Sequence, residues 1–181
     1  MTSSFLVVGI TLPQYIQDEG AIISGILRKE EAQLFHIRKP EWPIEKVYSL
    51  LKSIPEDLHS RLKIHDHFEL LQHFHLHGVH LNQRNTLPPE GCVNISKSLH
   101  DLKELEEIDE LEYVTLSPIF DSISKPGYKS GFSPHNLAPF IKNKKVLALG
   151  GVTPGHFPQL MKEGFYGAAL SGYFYRNVSY K

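Results

Sequence analysis

The sequence predicts an α/β fold of the (β/α)8 TIM-barrel class, and three observations predict it. Eight short strand-like runs alternate with helix-period segments from end to end, as a closed parallel sheet requires. Each run stops on polar or glycine residues. The last two runs are the sharpest: Lys145-Val-Leu-Ala-Leu-Gly150-Gly151 and, about twenty residues on, Gly167-Ala-Ala-Leu170-Ser171-Gly172. In parallel barrels the loops after strands seven and eight bind phosphate through backbone N–H groups. Glycine there lets the backbone approach the anion.

The elements follow in order. Residues 5–10 are a buried strand and 21–29 a helix. Residues 34–37 are the second strand, ending in Arg38-Lys39-Pro40. Residues 43–51 have apolar positions at 44, 47, 50 and 51, which is helical spacing, and Pro43 suits a first turn. Strand 61–64 ends at His65-Asp66, helix 68–74 follows, and strand 78–81 ends in Asn82-Gln-Arg-Asn85. The fourth connection, 86–91, has two prolines and is too short for an ordinary helix. Residues 93–96 read as strand five, 101–108 as an acidic helix and 113–116 as strand six. A Ser/Pro/Gly-rich loop covers 121–133, then helix 134–141, strand 146–149, helix 154–163 ended by Gly164, and strand 167–170. Only nine residues follow Gly172, so the last helix is expected to be missing or rudimentary. The whole chain, 1–181, is expected to be one compact domain, with a doubly wound open sheet as the structural alternative.

Bulk properties exclude several functions. The net charge is −1 and the pI about 6.8, so no electrostatic footprint for nucleic acid or anionic membrane exists. Cys92 is the single cysteine, which rules out an intramolecular disulfide and fits a reducing cytoplasm. No signal peptide or membrane span is evident. A shortened C-terminus would leave barrel surface open, which is compatible with a homo-oligomer.

Polar groups collect where the strands stop: His36 and Arg38; His65 and Asp66; His80, Asn82 and Asn85; Ser96, Ser98 and His100; Ser122, Ser124 and Lys125. In a barrel these ends converge on one mouth. Six histidines fall within residues 65–80, but their spacing fits no tight ligand set, so no specific metal site is expected of that stretch.

Six segments, in order, resemble the thiamine phosphate synthase family and its relative, thiazole tautomerase. Leu34-Phe-His-Ile-Arg-Lys-Pro40 is similar to a Gln-Leu-Arg-Glu-Lys strand end, and Leu62-Lys-Ile-His-Asp66 to an Ile-Asn-Asp segment. Gly78-Val-His-Leu-Asn-Gln-Arg-Asn85 resembles Gly-Val-His-Leu-Gly-Gln-Glu-Asp, and Ser96-Lys-Ser-Leu-His100 resembles Ser-Arg-Ser-Val-His. Ser117-Pro-Ile-Phe120 with Ser122-Ile-Ser-Lys125 looks like Gly-Pro-Ile-Phe with Thr-Pro-Thr-Lys, and Ala148-Leu-Gly-Gly-Val152 like Ala-Ile-Gly-Gly-Ile.

The resemblance implies a barrel enzyme binding a phosphorylated thiazole. The phosphate and substrate positions it carries over are His36, Arg38, His65, Ser98, Ser122, Ser124, Lys125, Gly150, Gly151, Leu170 and Ser171. A synthase would also bind a hydroxymethylpyrimidine diphosphate, with Mg2+ on Asp66 and Asn85. A tautomerase needs no metal; it moves a proton on a carboxylated thiazole phosphate, and His100 is its acid/base candidate. The departures favour the tautomerase slightly. The family lysine falls on Pro40, with Lys39 adjacent; its Asn falls on His65; its second metal-binding Asp falls on Asn85; its Gln falls on His36. A neutral amide is a weaker Mg2+ ligand than a carboxylate. A non-catalytic metabolite-binding regulator on the same barrel is the reading of a different class.

Overall fold

The structure, a computed structural model, describes residues 5–108, 110–120 and 136–178. Eight parallel strands close a barrel in sequence order. They are β1 (Leu6–Ile10), β2 (Leu34–Ile37), β3 (Leu62–Ile64), β4 (Gly78–Leu81), β5 (Ser96–Leu99), β6 (Tyr113–Leu116), β7 (Val146–Leu149) and β8 (Gly167–Leu170). Closure is direct: β1 pairs with β8, with Leu6 opposite Gly167. That pairing excludes the open sheet. A Cβ on Gly167 would sit 2.1 Å from the Leu6 carbonyl oxygen, so only glycine lets the first and last strands meet there.

The outer layer is thin. Helices α1 (Glu19–Arg28) and α2 (Ile44–Ser53) cover the first strands, and α3 (Ala138–Ile141) and α4 (Phe157–Lys162) the last. Elsewhere the predicted helices are 3-10 turns: Phe68–Gln72, Leu102–Glu107 and Pro154–His156. A further 3-10 turn, Glu56–Arg61, takes in Arg61, which the sequence reading had placed in strand three. No helix lies between β4 and β5, as the short fourth connection predicted. After β8 the described residues form one 3-10 turn, Gly172–Tyr175. Tyr175 anchors that turn: its hydroxyl donates to Glu19 Oε1 at 2.9 Å, and Glu19 Oε2 pairs with Lys39 Nζ at 2.6 Å.

One strand differs from its expected position. β5 spans Ser96–Leu99 rather than 93–96. Val93 is exposed and Asn94 has φ +55°, which ends any extended run there. The true strand reads polar because its inward side chains, Ser96 and Ser98, face other polar groups inside the barrel.

Side chains alternate across each strand. Outward ones build the main core with the helices, including Phe35, Ile64, Val79 and Leu116. The barrel interior divides into two halves. Val8, Ile10, Leu34, Leu147 and Ala169 form an apolar half that touches Tyr113. Strands β2 to β6 supply a buried polar half: His36, Lys63, His80, Ser96 and Thr115. No helix among the described residues is long and apolar enough to cross a membrane.

Candidate active site

The carboxyl ends of the strands define the mouth. At the ends of β3 and β4 a tight turn links Asn82 and Asn85 through reciprocal backbone bonds of 3.0 and 3.1 Å. The Asn82 side chain accepts from the Arg84 N–H at 2.9 Å, an Asx turn that fixes Arg84. Arg84 then reaches Asp66. Its Nη2 lies 3.1 Å from Oδ1 and 3.3 Å from Oδ2, and its Nε 3.3 Å from Oδ1. Asn85 Nδ2 donates to the same Oδ1 at 3.0 Å and to the His65 carbonyl at 3.0 Å.

This arrangement does not fit a Mg2+ site. Mg2+ wants several hard oxygen ligands in octahedral array. Both Asp66 oxygens are engaged by a guanidinium, and Asn85 points a donor, not an acceptor, at them. Sequence reasoning missed Arg84, which stands where the resembling segment has glutamate.

Arg38, at the end of β2, holds its backbone in place through Thr11: the Arg38 N–H donates to Thr11 Oγ1 at 2.8 Å, and Thr11 Oγ1 donates to the Arg38 carbonyl at 3.0 Å. Burial lowers its guanidinium pKa, as does nearby Arg84, while Asp66 opposes the shift. Its guanidinium has no ion pair among the described residues. Lys39 is not available in the same way. It is sealed against Glu19 and the carbonyls of Leu12 and Gln14 at 2.7 Å, and so does not replace the family lysine. A cavity of about 500 Å³ opens beside Asp66, Arg84, Asn85, Pro40 and Trp42. A second cavity of about 560 Å³ lies between the amino-terminal half of α1, helix α2 and the loops that lead into them, and it shares Trp42 with the first.

The floor beneath the mouth is built of imidazoles. His36 Nδ1 lies 2.9 Å from His65 Nε2, and His36 Nε2 lies 2.6 Å from the Tyr113 hydroxyl. His80 sits between Ser96 Oγ at 2.9 Å and Ser98 Oγ at 2.8 Å. Burial holds His36 and His65 well below the ordinary imidazole pKa, and burial with Lys63 and Arg38 holds His80 at about 3. All three are therefore neutral near pH 7. Their ring nitrogens come within 4.8 Å of one another. A shared metal must lie in the plane of each ring, yet His65 and His80 stack face to face, 4.3 Å apart and 27° from parallel. The set reads as a hydrogen-bonded floor. His36, expected among the substrate contacts, is 0% exposed and offers no surface to a ligand.

Beneath that floor Lys63 pairs with Glu112 at 2.7 Å, donates to Ser96 Oγ at 3.0 Å and also to the Asn94 carbonyl. Burial pushes the Glu112 carboxyl up, but hydrogen bonds from His77 and Lys63 outweigh it and hold it at about 2.

His100 stands exposed at the end of β5. Glu104 Oε1 accepts from the backbone N–H of both His100 and Asp101 at 3.0 Å, fixing the strand exit. The ring Nδ1 is 3.2 Å from the Ser117 carbonyl at the end of β6. The Ser117 hydroxyl lies 3.3 Å from the same nitrogen and can donate to it, so the ring is held under either tautomer; with the proton on Nδ1 toward the carbonyl, Nε2 is left as a base.

On the opposite rim Gly150 and Gly151 have φ +92° and +63°. A Cβ on Gly150 would lie 2.9 Å from Pro118 Cα, so the β7 exit turns against the β6 loop as only glycine can. Leu170 is buried at the end of β8 and Ser171 is half-buried just beyond it. Ser122, Ser124 and Lys125 lie outside the described residues.

The model of the thiamine monophosphate synthase family matches residues 7–173. The chain belongs to this family. Its match to the thiamine-phosphate synthase of Vibrio campbellii is 28% identical and covers 66% of this chain and 64% of that protein. Thiamine-phosphate synthase 1 of Aquifex aeolicus is 24% identical over 67% of this chain and 60% of its own length. The chain thus spans under two thirds of these family relatives. Thiamine phosphate pyrophosphorylase from Bacteroides thetaiotaomicron superposes with a TM-score of 0.84 at 30% identity, covering 97% of this chain and 87% of that one. The namesake enzyme of Pyrococcus furiosus, at 17% identity and TM-score 0.71, shares the fold.

Proposed function

We propose that the chain acts in thiamine biosynthesis as a family isomerase that moves a proton on a carboxylated thiazole phosphate, the tautomerase reaction. The observation that carries this reading is the occupation of Asp66 by Arg84 and Asn85, where a synthase would need a carboxylate for Mg2+. The phosphate sits in the cup of Gly150, Gly151, Leu170 and Ser171, facing Arg38. Ser98 is a further candidate donor, and the sequence resemblance assigns Ser122, Ser124 and Lys125 to the same phosphate. His100 Nε2 takes the ring proton, and the imidazolium so formed returns it at the neighbouring position. Atoms and charge balance, and no cofactor enters.

A second reading is the synthase, favoured by the printed names of the curated relatives. It couples the pyrimidine diphosphate to the thiazole phosphate and releases pyrophosphate. In this chain Arg38 and Arg84 would have to supply the positive charge for the leaving group. In both readings the protein works in the cytoplasm.

His100→Asn tests the proposal. The Asn side chain can keep the Ser117 contact but cannot carry a proton. Isomerisation should fall at least a hundredfold, within the range of a lost general base, while thiazole phosphate affinity stays within a few fold. Full turnover by the variant removes His100 from the mechanism.

A further inference from the structure

A second concave surface adjoins the mouth. The loops after β1 and β2 belong to the catalytic face of a parallel barrel. The cavity of about 560 Å³ lies between these loops, α1 and α2, and its volume suits a small molecule. Gly20 and Ser53 both line it. A Cβ on Gly20 would meet Ser53 Oγ at 2.1 Å, so glycine lets the two helices close on each other there.

The aromatic part of the lining is held in place before any ligand arrives. The Trp42 N–H donates to the Lys39 carbonyl at 3.1 Å, and its carbonyl accepts from His67 Nε2 at 2.7 Å. The Lys39 ammonium, buried in its pair with Glu19, lies 4.5 Å from the indole centroid. Tyr15 stacks with Trp42, the centroids 6.3 Å apart and the planes 22° from parallel, yet it is 67% exposed. An exposed, nearly parallel ring pair lining a cavity is a stacking platform for a planar ligand.

The polar lining selects what that ligand carries. The Ser49 and Ser53 hydroxyls donate to the Glu45 and Leu50 carbonyls at 2.8 and 2.7 Å, so they offer a ligand lone pairs. The Asp18 carboxylate also only accepts, and it does not cap α1. An edge rich in acceptors calls for N–H donors on the ring. Glu19 is neutralised by Lys39, and among the described residues of the lining Lys46 is the one cation. A cation on the rim calls for an anionic tail.

We infer that this cavity is a binding site for an amino-substituted heteroaromatic phosphate, separate from the phosphate cup of β7 and β8. The ring lies against Tyr15 and Trp42, its amino group meets Asp18 and the serine hydroxyls, and its phosphate pairs with Lys46. An aminopyrimidine and an aminopurine phosphate share this chemistry. The inference does not depend on the reaction at the mouth.

Trp42 is the only tryptophan of the chain and lines both cavities, so its fluorescence reports on either. The full-length protein is titrated with CMP and AMP, with their keto counterparts UMP and IMP, and with the parent nucleosides. At least one amino ligand should give a saturable change and bind about tenfold more tightly than its keto counterpart and its nucleoside. Preference for CMP marks an aminopyrimidine site, and preference for AMP an aminopurine site. Tyr15→Ala and Lys46→Ala should each weaken that ligand about tenfold. Both residues are exposed, so neither substitution opens the core. Arg84→Ala, in the neighbouring cavity, should change the affinity by less than about twofold. No saturable binding of either amino ligand, or equal affinity for the keto and nucleoside forms, overturns the inference. Binding lost in Arg84→Ala but kept in Tyr15→Ala and Lys46→Ala also overturns it and places the ligand in the mouth.

Discussion

The Arg84 guanidinium lies 3.1 Å from the Asp66 carboxylate and engages both of its oxygens. Two residues 18 apart in sequence thereby place a fixed positive charge at the position where the synthase reading needs a divalent cation. The Asp66 side chain is 13% exposed and the Arg84 side chain 44%, so solvent and salt screen the pair from the Arg84 side.

Divalent-cation binding is the first consequence. Calorimetric titration of the wild type with Mg2+ should show no site tighter than the millimolar range. The double variant Arg84→Ala/Asn85→Asp frees Asp66 and adds a second carboxylate, and should gain measurable binding. Tight Mg2+ binding by the wild type would show that Arg84 swings away.

Acid should destabilise the fold early. A buried neutral histidine has a folded pKa below its unfolded value, so the unfolded chain binds more protons as pH falls. For His80 that stabilisation is complete above about 6.5 and is lost as pH falls toward about 3. His36 and His65 shift in the same direction. Glu112, whose pKa is lowered from 4.5 to about 2, adds a loss only below about 4.5. Calorimetry should find Tm falling steadily from pH 7 to 5, before Glu112 titrates. A flat Tm over that interval contradicts a neutral buried floor.

The turn after β8, Gly172–Tyr175, is held by Glu19, Lys39 and Tyr175. Glu19→Gln leaves the Lys39 ammonium buried without a counter-charge, at a cost of about 3–5 kcal/mol, or a Tm drop of about 10 °C. Glu19→Leu/Lys39→Met removes both charges and should recover much of that. If the single variant melts like the wild type, the pair is not what fixes the last turn.

Gly150→Ala tests the phosphate rim. At φ +92° an alanine is strained by about 1–2 kcal/mol, and its Cβ meets Pro118 Cα at 2.9 Å. Thiazole phosphate affinity should fall about tenfold or more while the far-ultraviolet spectrum is unchanged. Unaltered affinity would move the phosphate away from the β7 exit.

Much of this was legible in the sequence. Strands bounded by Gly150-Gly151, Asn82 or Ser117 read clearly because apolar runs meet turn residues. Strand five was placed three residues early because Val93 and Ile95 are apolar, whereas Ser96 and Ser98 look like loop and serve the polar interior. The 3-10 turns were read as helices because segments of five or six residues do not separate a 3.0 from a 3.6 period. The ends of the strands identified Arg38, His65, Asp66 and His100. Their partners did not show: Tyr113 meets His36 across 77 positions, and Arg84 reached Asp66 through a turn whose geometry no periodicity records.

The central claim is proton transfer on a thiazole phosphate without a metal. The direct measurement supplies purified protein, in chelator, with the carboxylated thiazole phosphate in its non-aromatic form and follows aromatisation by ultraviolet absorbance. A parallel reaction offers the aromatic thiazole phosphate, the pyrimidine diphosphate and Mg2+. The account predicts rapid, chelator-insensitive aromatisation, abolished in His100→Asn, and no thiamine phosphate in the parallel reaction. Mg2+-dependent thiamine phosphate with no acceleration of aromatisation would contradict it and establish the synthase.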